Sequence, residues 1–185
     1  TRKRKIKRSL IYLFVIISAL GFSQQEDSLL RIFRNMSYPI EKRCDALYTH
    51  AYENIYSNTD TSLKYLKIVL VLSQQLEDKS LEAQALNLLG GGNYIKGKTG
   101  DAIKYYNESL TIRKEINDKE GVSDAYNNIG AVFLSIGEFP KALGSFFEGL
   151  KLAEELKDNG RITGLLTNIG NAYADKLFQK FLKSR

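Results

Sequence analysis

The chain has 185 residues, of which 43% are hydrophobic and only 2 are proline, a composition that excludes disorder over most of its length. Its formal net charge of +6 comes from the N-terminus, because residues 1–23 hold six basic residues and no acid, and the remaining 21 Lys and Arg balance 21 Asp and Glu. Since everything after residue 23 is formally neutral, the charge does not indicate a protein that binds nucleic acid.

Residues 1–23 have the pattern of a secretory signal peptide. A basic cluster is followed by a mostly apolar run from Leu10 to Phe22, which is too short to span a bilayer. Gly21 and Ser23 supply small residues at the spacing of a cleavage site, which predicts cleavage after Ser23 and a new N-terminus at Gln24. The pattern predicts an exported protein, periplasmic or membrane-associated on the extracytoplasmic side; an uncleaved anchor is the alternative. The basic residues are Arg2, Lys3, Arg4, Lys5, Lys7 and Arg8.

Residues 24–40 predict a short amphipathic helix that covers the apolar end of the following structure. Its apolar residues recur at helical spacing, Asp27 can cap its start, and Pro39 ends it. These apolar residues are Leu29, Leu30, Phe33 and Met36.

Cys44 and His50 are the only cysteine and the only histidine, so neither an intrachain disulfide nor a multi-cysteine metal site is possible. On one helix, their separation places them about 240° apart around the axis, on different faces. Cys44 is therefore expected to be a small buried thiol, and His50 a partly exposed or hydrogen-bonded residue. We expect no catalytic residue, no bound metal, no cofactor and no enzyme activity.

One sequence unit repeats along most of the chain. Leu89-Gly90, Ile129-Gly130 and Ile169-Gly170 are separated by 40 positions without gaps. Within a unit the apolar spacing predicts two helices, and Gly97 and Gly137 mark the turns between them. The predicted units are 41–80, 81–120, 121–160 and a half unit, 161–176. The aspartates that close the first three units, each placed to cap the helix that follows, are Asp78, Asp118 and Asp158.

The spacing of these repeated residues resembles the 40-residue variety of the tetratricopeptide repeat family. Gly90, Gly130 and Gly170 match the family's first small residue, and Ala102 with Tyr106 and Ala142 with Phe146 match its later small and aromatic positions. The resemblance implies an all-α fold, a solenoid of helical hairpins forming a right-handed superhelix, with about seven helices after the signal segment. The first unit departs most, since Thr49-His50 stands where the aliphatic-glycine pair belongs.

The pattern fails after Tyr173, because Leu177 stands where a turn glycine is expected. Residues 177–185 are then a divergent C-terminal tail, with Leu177, Phe178, Phe181 and Leu182 at amphipathic spacing. Two interpretations are open: a true capping helix, or the remnant of a truncated or frame-shifted longer protein. The sequence favours the second, and translating the DNA beyond Arg185 in all frames would distinguish them.

In the family, the first helices of successive units line a concave groove that binds peptides. By residue match the groove would comprise Gln84, Asn87, Tyr94, Asp124, Asn127, Asn128, Leu134, Thr167, Asn168 and Asn171. Side-chain amides both donate and accept hydrogen bonds, so spaced asparagines can hold an extended peptide backbone; the alternative is that they cap turns or bind water. The basic residues that grip an acidic peptide C-terminus in some members are absent, since their positions fall on Asn87, Gly164 and Asn168.

Two functions follow from the resemblance. The first is a non-catalytic module that binds a protein or peptide segment outside the cytoplasm. The second is the truncated sensory N-terminal region of a longer signalling protein, because signal peptide, short helix and long-variety repeats in this order resemble the extracytoplasmic part of bacterial, Bacteroidetes-type, histidine kinases and helix-turn-helix regulators. The partner would be a protein or peptide segment. The membrane would be involved only through an uncleaved signal segment or a missing C-terminal part.

Overall fold

The computed structural model describes residues 28–184, which form eight α-helices and no strand. The helices are α1 Ser28–Arg34, α2 Ile40–Glu53, α3 Thr59–Leu76, α4 Lys79–Ile95, α5 Thr99–Glu115, α6 Lys119–Ser135, α7 Phe139–Leu156 and α8 Asn159–Lys183. The all-α prediction is confirmed, with eight helices where about seven were predicted. The signal-peptide prediction and the Asp27 cap lie outside the described residues. Among these helices none is both long and apolar enough to cross a bilayer.

The helices fall into two compact units, one ending at Asp78 and the other beginning at Lys79. In the first unit α1 packs against α2 through buried Leu30 and Phe33, and the Arg43 side chain donates a buried 2.7 Å hydrogen bond from Nε to the Phe33 carbonyl. Helix α1 ends at Arg34, before the predicted Pro39, because the Asn35 side chain accepts from the Ser37 amide and starts a turn. Met36, predicted on the apolar face, is therefore 56% exposed.

The first repeat forms its helix pair despite its divergent sequence. Cys44 is fully buried, and desolvation raises the pKa of its thiol to about 12, so at neutral pH it is protonated and a poor nucleophile. His50, in the place of the repeat glycine, packs edge-on against the Tyr65 ring with centroids 5.4 Å apart. The imidazole thus lies against a ring that belongs to the second helix of the same hairpin.

The second unit contains two complete helical hairpins, α4 with α5 and α6 with α7, followed by α8. The predicted turn glycines Gly97 and Gly137 both have positive φ, +70° and +75°, which few residues other than glycine adopt. Asp118 and Asp158 cap α6 and α8 as predicted, accepting from the Gly121 and Arg161 amides at 2.9 and 3.0 Å. The turn glycines and the capping aspartates in the sequence therefore predicted the ends of these helices correctly.

The repeat glycines allow the two helices of a hairpin to approach closely. A Cβ at Gly90 would lie 2.7 Å from the Tyr106 ring, and one at Gly130 would lie 2.5 Å from the Phe146 ring. These distances are shorter than any real contact, so an aromatic ring of the second helix rests directly on the glycine of the first. The family's small residue and its later aromatic position are therefore two halves of one contact.

Helix α8 continues past the predicted end of the repeat. It runs 25 residues without a break to Lys183, so the predicted tail from residue 177 is helical through most of its length. Leu177 replaces the turn glycine, and the surrounding residues are good helix formers, so nothing in the sequence interrupts the helix. Within residues 28–184, no neighbouring atom lies within 4 Å of a Cβ built at Gly170, in contrast to Gly90 and Gly130.

Candidate functional site

The first helices of the three repeats in the second unit are joined by side-chain amides. Asn128 donates from Nδ2 to Asn87 Oδ1 at 3.0 Å, connecting α6 to α4. Asn168 donates to Asn127 Oδ1 at 2.8 Å, connecting α8 to α6. We call these four asparagines the amide ladder. The predicted asparagines are thus brought together, but they bind each other between repeats instead of standing apart.

The ladder keeps hydrogen-bonding capacity beyond its own bonds. Each amide has two N–H donors and a carbonyl with two lone pairs, and one amide-to-amide bond uses a single donor and a single lone pair. All four side chains are partly exposed. The ladder therefore orients three helices and still offers donors and acceptors to a ligand.

A cavity of about 250 Å³ adjoins the ladder between α6 and α8. Asn127 belongs both to the ladder and to the cavity wall. Gly164 leaves part of the α8 side of the cavity open, since no atom of the described residues lies within 4 Å of a Cβ built there. The lining residues are Ser123, Asp124, Asn127, Gly160, Arg161, Gly164 and Leu165. Of these, only Asp124 and Asn127 were among the predicted site residues.

Arg161 dominates the electrostatics of this cavity. Its guanidinium binds Asp124 through two hydrogen bonds, from Nε at 2.9 Å and from Nη2 at 3.0 Å, and a third nitrogen, Nη1, contacts Asp158. The hydrogen bonds to these carboxylates, above all the one to Asp124, raise the pKa of the Arg161 guanidinium. In turn, the hydrogen bonds from the Arg161 amide and guanidinium lower the pKa of the Asp158 carboxyl. Glu120 lies 3.4 Å from Nη2 as well. The cavity wall holds one cation and one carboxylate, Asp124, and two further carboxylates contact the same guanidinium from outside the wall, so the charge around the cavity favours a neutral or basic ligand.

In the preceding repeat, the guanidinium that binds the capping aspartate comes from a different helix. There Arg113 of α5 reaches the capping Asp118 at 2.6 Å, and a Cβ at Gly121 would collide with it. One repeat later Arg161 stands where Gly121 was, and Ala153 stands where Arg113 was. Both repeats thus attach a guanidinium to the capping aspartate, but only Arg161 also reaches Asp124 of the neighbouring first helix. The exchange of residues between these two positions is visible in the sequence, but the contact of Arg161 with Asp124 is not.

The other predicted site residues are more scattered. Gln84 donates to Ser80 Oγ at 3.2 Å, and Thr167 donates to the Thr163 carbonyl at 2.8 Å, so both hydroxyl and amide are engaged along their own helices. Tyr94 and Asn171 are exposed on α4 and α8. Leu134 lies away from the amide ladder, in a separate cavity of about 310 Å³ that Phe178 also lines.

A further cavity of about 320 Å³ lies between α5, α6 and α7 and has several basic residues in its wall. Two of these cations are paired with a carboxylate: Lys119 binds Glu155 at 3.0 Å, and Arg113 binds Asp118 at 2.6 Å. Lys114 instead donates to the neutral Tyr126 hydroxyl at 2.8 Å. The cavity therefore offers a ligand less uncompensated charge than its composition suggests. Among the described residues no group of three or more His, Cys, Asp or Glu side chains is arranged to hold a metal ion.

Comparison with known proteins agrees with this geometry. Residues 81–155 match the sequence profile of the tetratricopeptide repeat family. Over these residues the chain is similar to tetratricopeptide repeats. The match covers the hairpins α4–α5 and α6–α7, the part in which a ring rests on each repeat glycine, and so confirms the resemblance seen in the sequence. No curated protein matches the chain.

Two solved structures share the tetratricopeptide-like helical fold. BtubC from P. vanneervenii is 17% identical with a TM-score of 0.69, over 79% of this chain and 61% of that protein. Aspartyl phosphate phosphatase F from Bacillus subtilis is 16% identical with a TM-score of 0.66, over 77% of this chain and 39% of that protein. The chain spans less than two thirds of either protein's length, and at these identities the likeness concerns the fold alone.

Proposed function

We propose that the chain is a non-catalytic module that binds an extended protein or peptide segment along α4, α6 and α8, outside the cytoplasm. Tetratricopeptide repeats generally mediate interactions between proteins. The observation that carries the proposal is the amide ladder beside the cavity at Arg161. Together they provide a row of groups that hydrogen-bond a peptide backbone and a recess that accepts one side chain.

The charge of the cavity narrows the class of ligand. Carboxylates outnumber the single guanidinium around it, and Asp124 is held by Arg161 and so is fixed in position. An acidic peptide terminus would be repelled here, which agrees with the absence of basic residues at Asn87, Gly164 and Asn168. The preferred ligand is a neutral or basic extended segment whose backbone runs along the ladder.

Selection from a displayed library of random peptides tests this proposal. We expect the recovered peptides to be enriched in neutral and basic residues, and their addition to shift the NMR amide signals of α4, α6 and α8. Peptides enriched in acidic residues, or shifts confined to α5 and α7, would contradict it.

Export is part of the same proposal and is supported by the basic, apolar and small-residue sequence of residues 1–23. Expressed in a Gram-negative host, the chain is expected to reach the periplasm and to lose the segment ending at Ser23 there, giving an N-terminus at Gln24. Intact-mass measurement of the periplasmic fraction checks this result. A chain recovered only from the cytoplasm, with Arg2 still present, would refute export without affecting the binding proposal.

A further inference from the structure

The cavity of about 310 Å³ that Leu134 and Phe178 line lies where α8 runs past the end of α6. We call it the end recess. Helices α4 and α6 each stop two residues before a turn glycine, whereas α8 has Leu177 at the equivalent position and continues to Lys183. The continuing helix supplies one wall of the recess, and the end of α6 and the start of α7 supply the other. The first wall is present because no turn glycine ends α8 at this place.

The end recess lies in the same groove between α6 and α8 as the bond from Asn168 to Asn127. Leu134 follows Asn127 by seven residues on α6, and Asp175 follows Asn168 by seven residues on α8. Seven residues make nearly two helical turns, so each pair shares a helix face and is about 10 Å apart along the axis. Three residues of extended chain, at roughly 3.3 Å each, cover this distance. A segment bound to the amide ladder can therefore place a nearby side chain in the recess.

The wall of the end recess combines apolar surface with one carboxylate. Leu134, Phe139 and Phe178 supply one aliphatic side chain and two aromatic rings. Asp175 is the only ionisable residue among those that line the recess. The Ser135 hydroxyl, which also lines it, donates to the Val132 carbonyl at 2.8 Å within its own helix. The recess thus presents hydrophobic walls and a single negative charge.

The Asp175 carboxylate is available to a ligand. Its side chain is exposed, and within residues 28–184 it has neither an ion pair nor a hydrogen bond to another side chain. Lys176 and Lys180 of the same helix lie about 100° and 140° from it around the axis, on another side. Glu138 and Lys141, at the start of α7, bind each other at 3.4 Å. The negative charge of the recess is therefore uncompensated.

We propose that the end recess binds a lysine or arginine side chain of the segment held by the amide ladder, an inference that rests on the proposed function. The aliphatic stem of such a side chain packs against Leu134 and the two rings, and its cationic end reaches Asp175. A purely apolar side chain would cover the carboxylate without giving it a partner, and an acidic one would be repelled. A long basic side chain complements both parts of the wall.

A double-mutant cycle tests this pairing, with a peptide selected from the displayed library as the probe. Each lysine or arginine of the peptide is replaced in turn by norleucine, which keeps an aliphatic stem and removes the charge. Fluorescence anisotropy then gives the affinity of each peptide for the unsubstituted chain, for Asp175→Asn and for Asp45→Asn. Asp45 is the matched control, because it is exposed within α2 and its substitution removes the same charge elsewhere.

We expect norleucine at one position of the peptide to weaken binding about threefold to the unsubstituted chain and to Asp45→Asn, the effect of a partly exposed ion pair. The same replacement should leave the affinity for Asp175→Asn unchanged, because the partner charge is already absent. In about 1 M salt the threefold difference should largely disappear.

Two outcomes would overturn the inference and leave the proposed function intact. They are selected peptides that share no lysine or arginine, and an equal loss on norleucine replacement for all three forms of the chain. The Gly164→Leu variant tests the groove separately, at the cavity beside Asp124 and Asn127. A chain that bound no library peptide would refute the proposed function and this inference together.

Discussion

Phe146→Ala is expected to lower the free energy of unfolding by about 3–5 kcal/mol, the usual cost of removing a fully buried phenylalanine ring. The ring is 0% exposed, lies directly on Gly130, and shares a core cluster with Leu143, Leu150 and Leu165. Because it joins α6, α7 and α8, its loss leaves a cavity that a glycine on the facing helix cannot fill. Urea denaturation followed by circular dichroism measures the effect.

The neighbouring residue supplies the control. Phe147 is 48% exposed, and Phe147→Ala is expected to change the free energy of unfolding by no more than about 0.5 kcal/mol. Both substitutions remove the same ring, from adjacent positions on α7, so their effects on composition and helix propensity are the same. Equal losses for the two variants would show that the ring on the repeat glycine is not the centre of this packing.

Alanine at two equivalent repeat glycines is expected to act with opposite signs. At Gly130 the added Cβ would lie 2.5 Å from the buried Phe146 ring, so overpacking of about 1–3 kcal/mol outweighs the roughly 1 kcal/mol gained by replacing a helical glycine. At Gly170 an added Cβ meets no atom of the part of the chain that the structure describes, and only the gain in helix propensity applies. Gly130→Ala should therefore melt at a lower temperature than the unsubstituted chain and Gly170→Ala at a higher one.

This comparison is made by thermal denaturation of the two variants and the unsubstituted chain. The two sites share the same repeat position and the same preceding isoleucine, so the contrast isolates the presence of the facing ring. A decrease of similar size for both variants would mean that Gly170 is covered within the monomer. An increase for both would mean that Phe146 can move aside.

Most of the fold could be predicted from the sequence because its signals are local and repeated. The positive-φ glycines at the hairpin turns, the capping Asp118 and Asp158, and the contact of Gly90 and Gly130 with a later aromatic ring all recur from one repeat to the next. Each such feature depends on a few neighbouring residues, so its position in the sequence suffices to place it.

The candidate site could be predicted only in part, since its bonds join residues that belong to different repeats. The residue match placed asparagines on the first helices but could not show that Asn128 would bind Asn87, and Asn168 would bind Asn127. Arg161 was missed because its role depends on Asp124 of another helix. Leu134 was assigned to the groove by analogy, but the continuation of α8 places Phe178 beside it in a separate cavity.

The most direct test of peptide binding along the first helices is the affinity of a library-selected peptide for three forms of the chain. A Cβ at Gly164 has no atom of the described residues within 4 Å, so Gly164→Leu can extend a side chain into the cavity beside Asp124 and Asn127, and Gly144→Leu adds the same side chain to α7. By fluorescence anisotropy we expect the dissociation constant to rise at least tenfold for Gly164→Leu, a loss of about 1.4 kcal/mol or more, and to stay unchanged for Gly144→Leu. Equal affinity for all three forms would contradict binding in this groove.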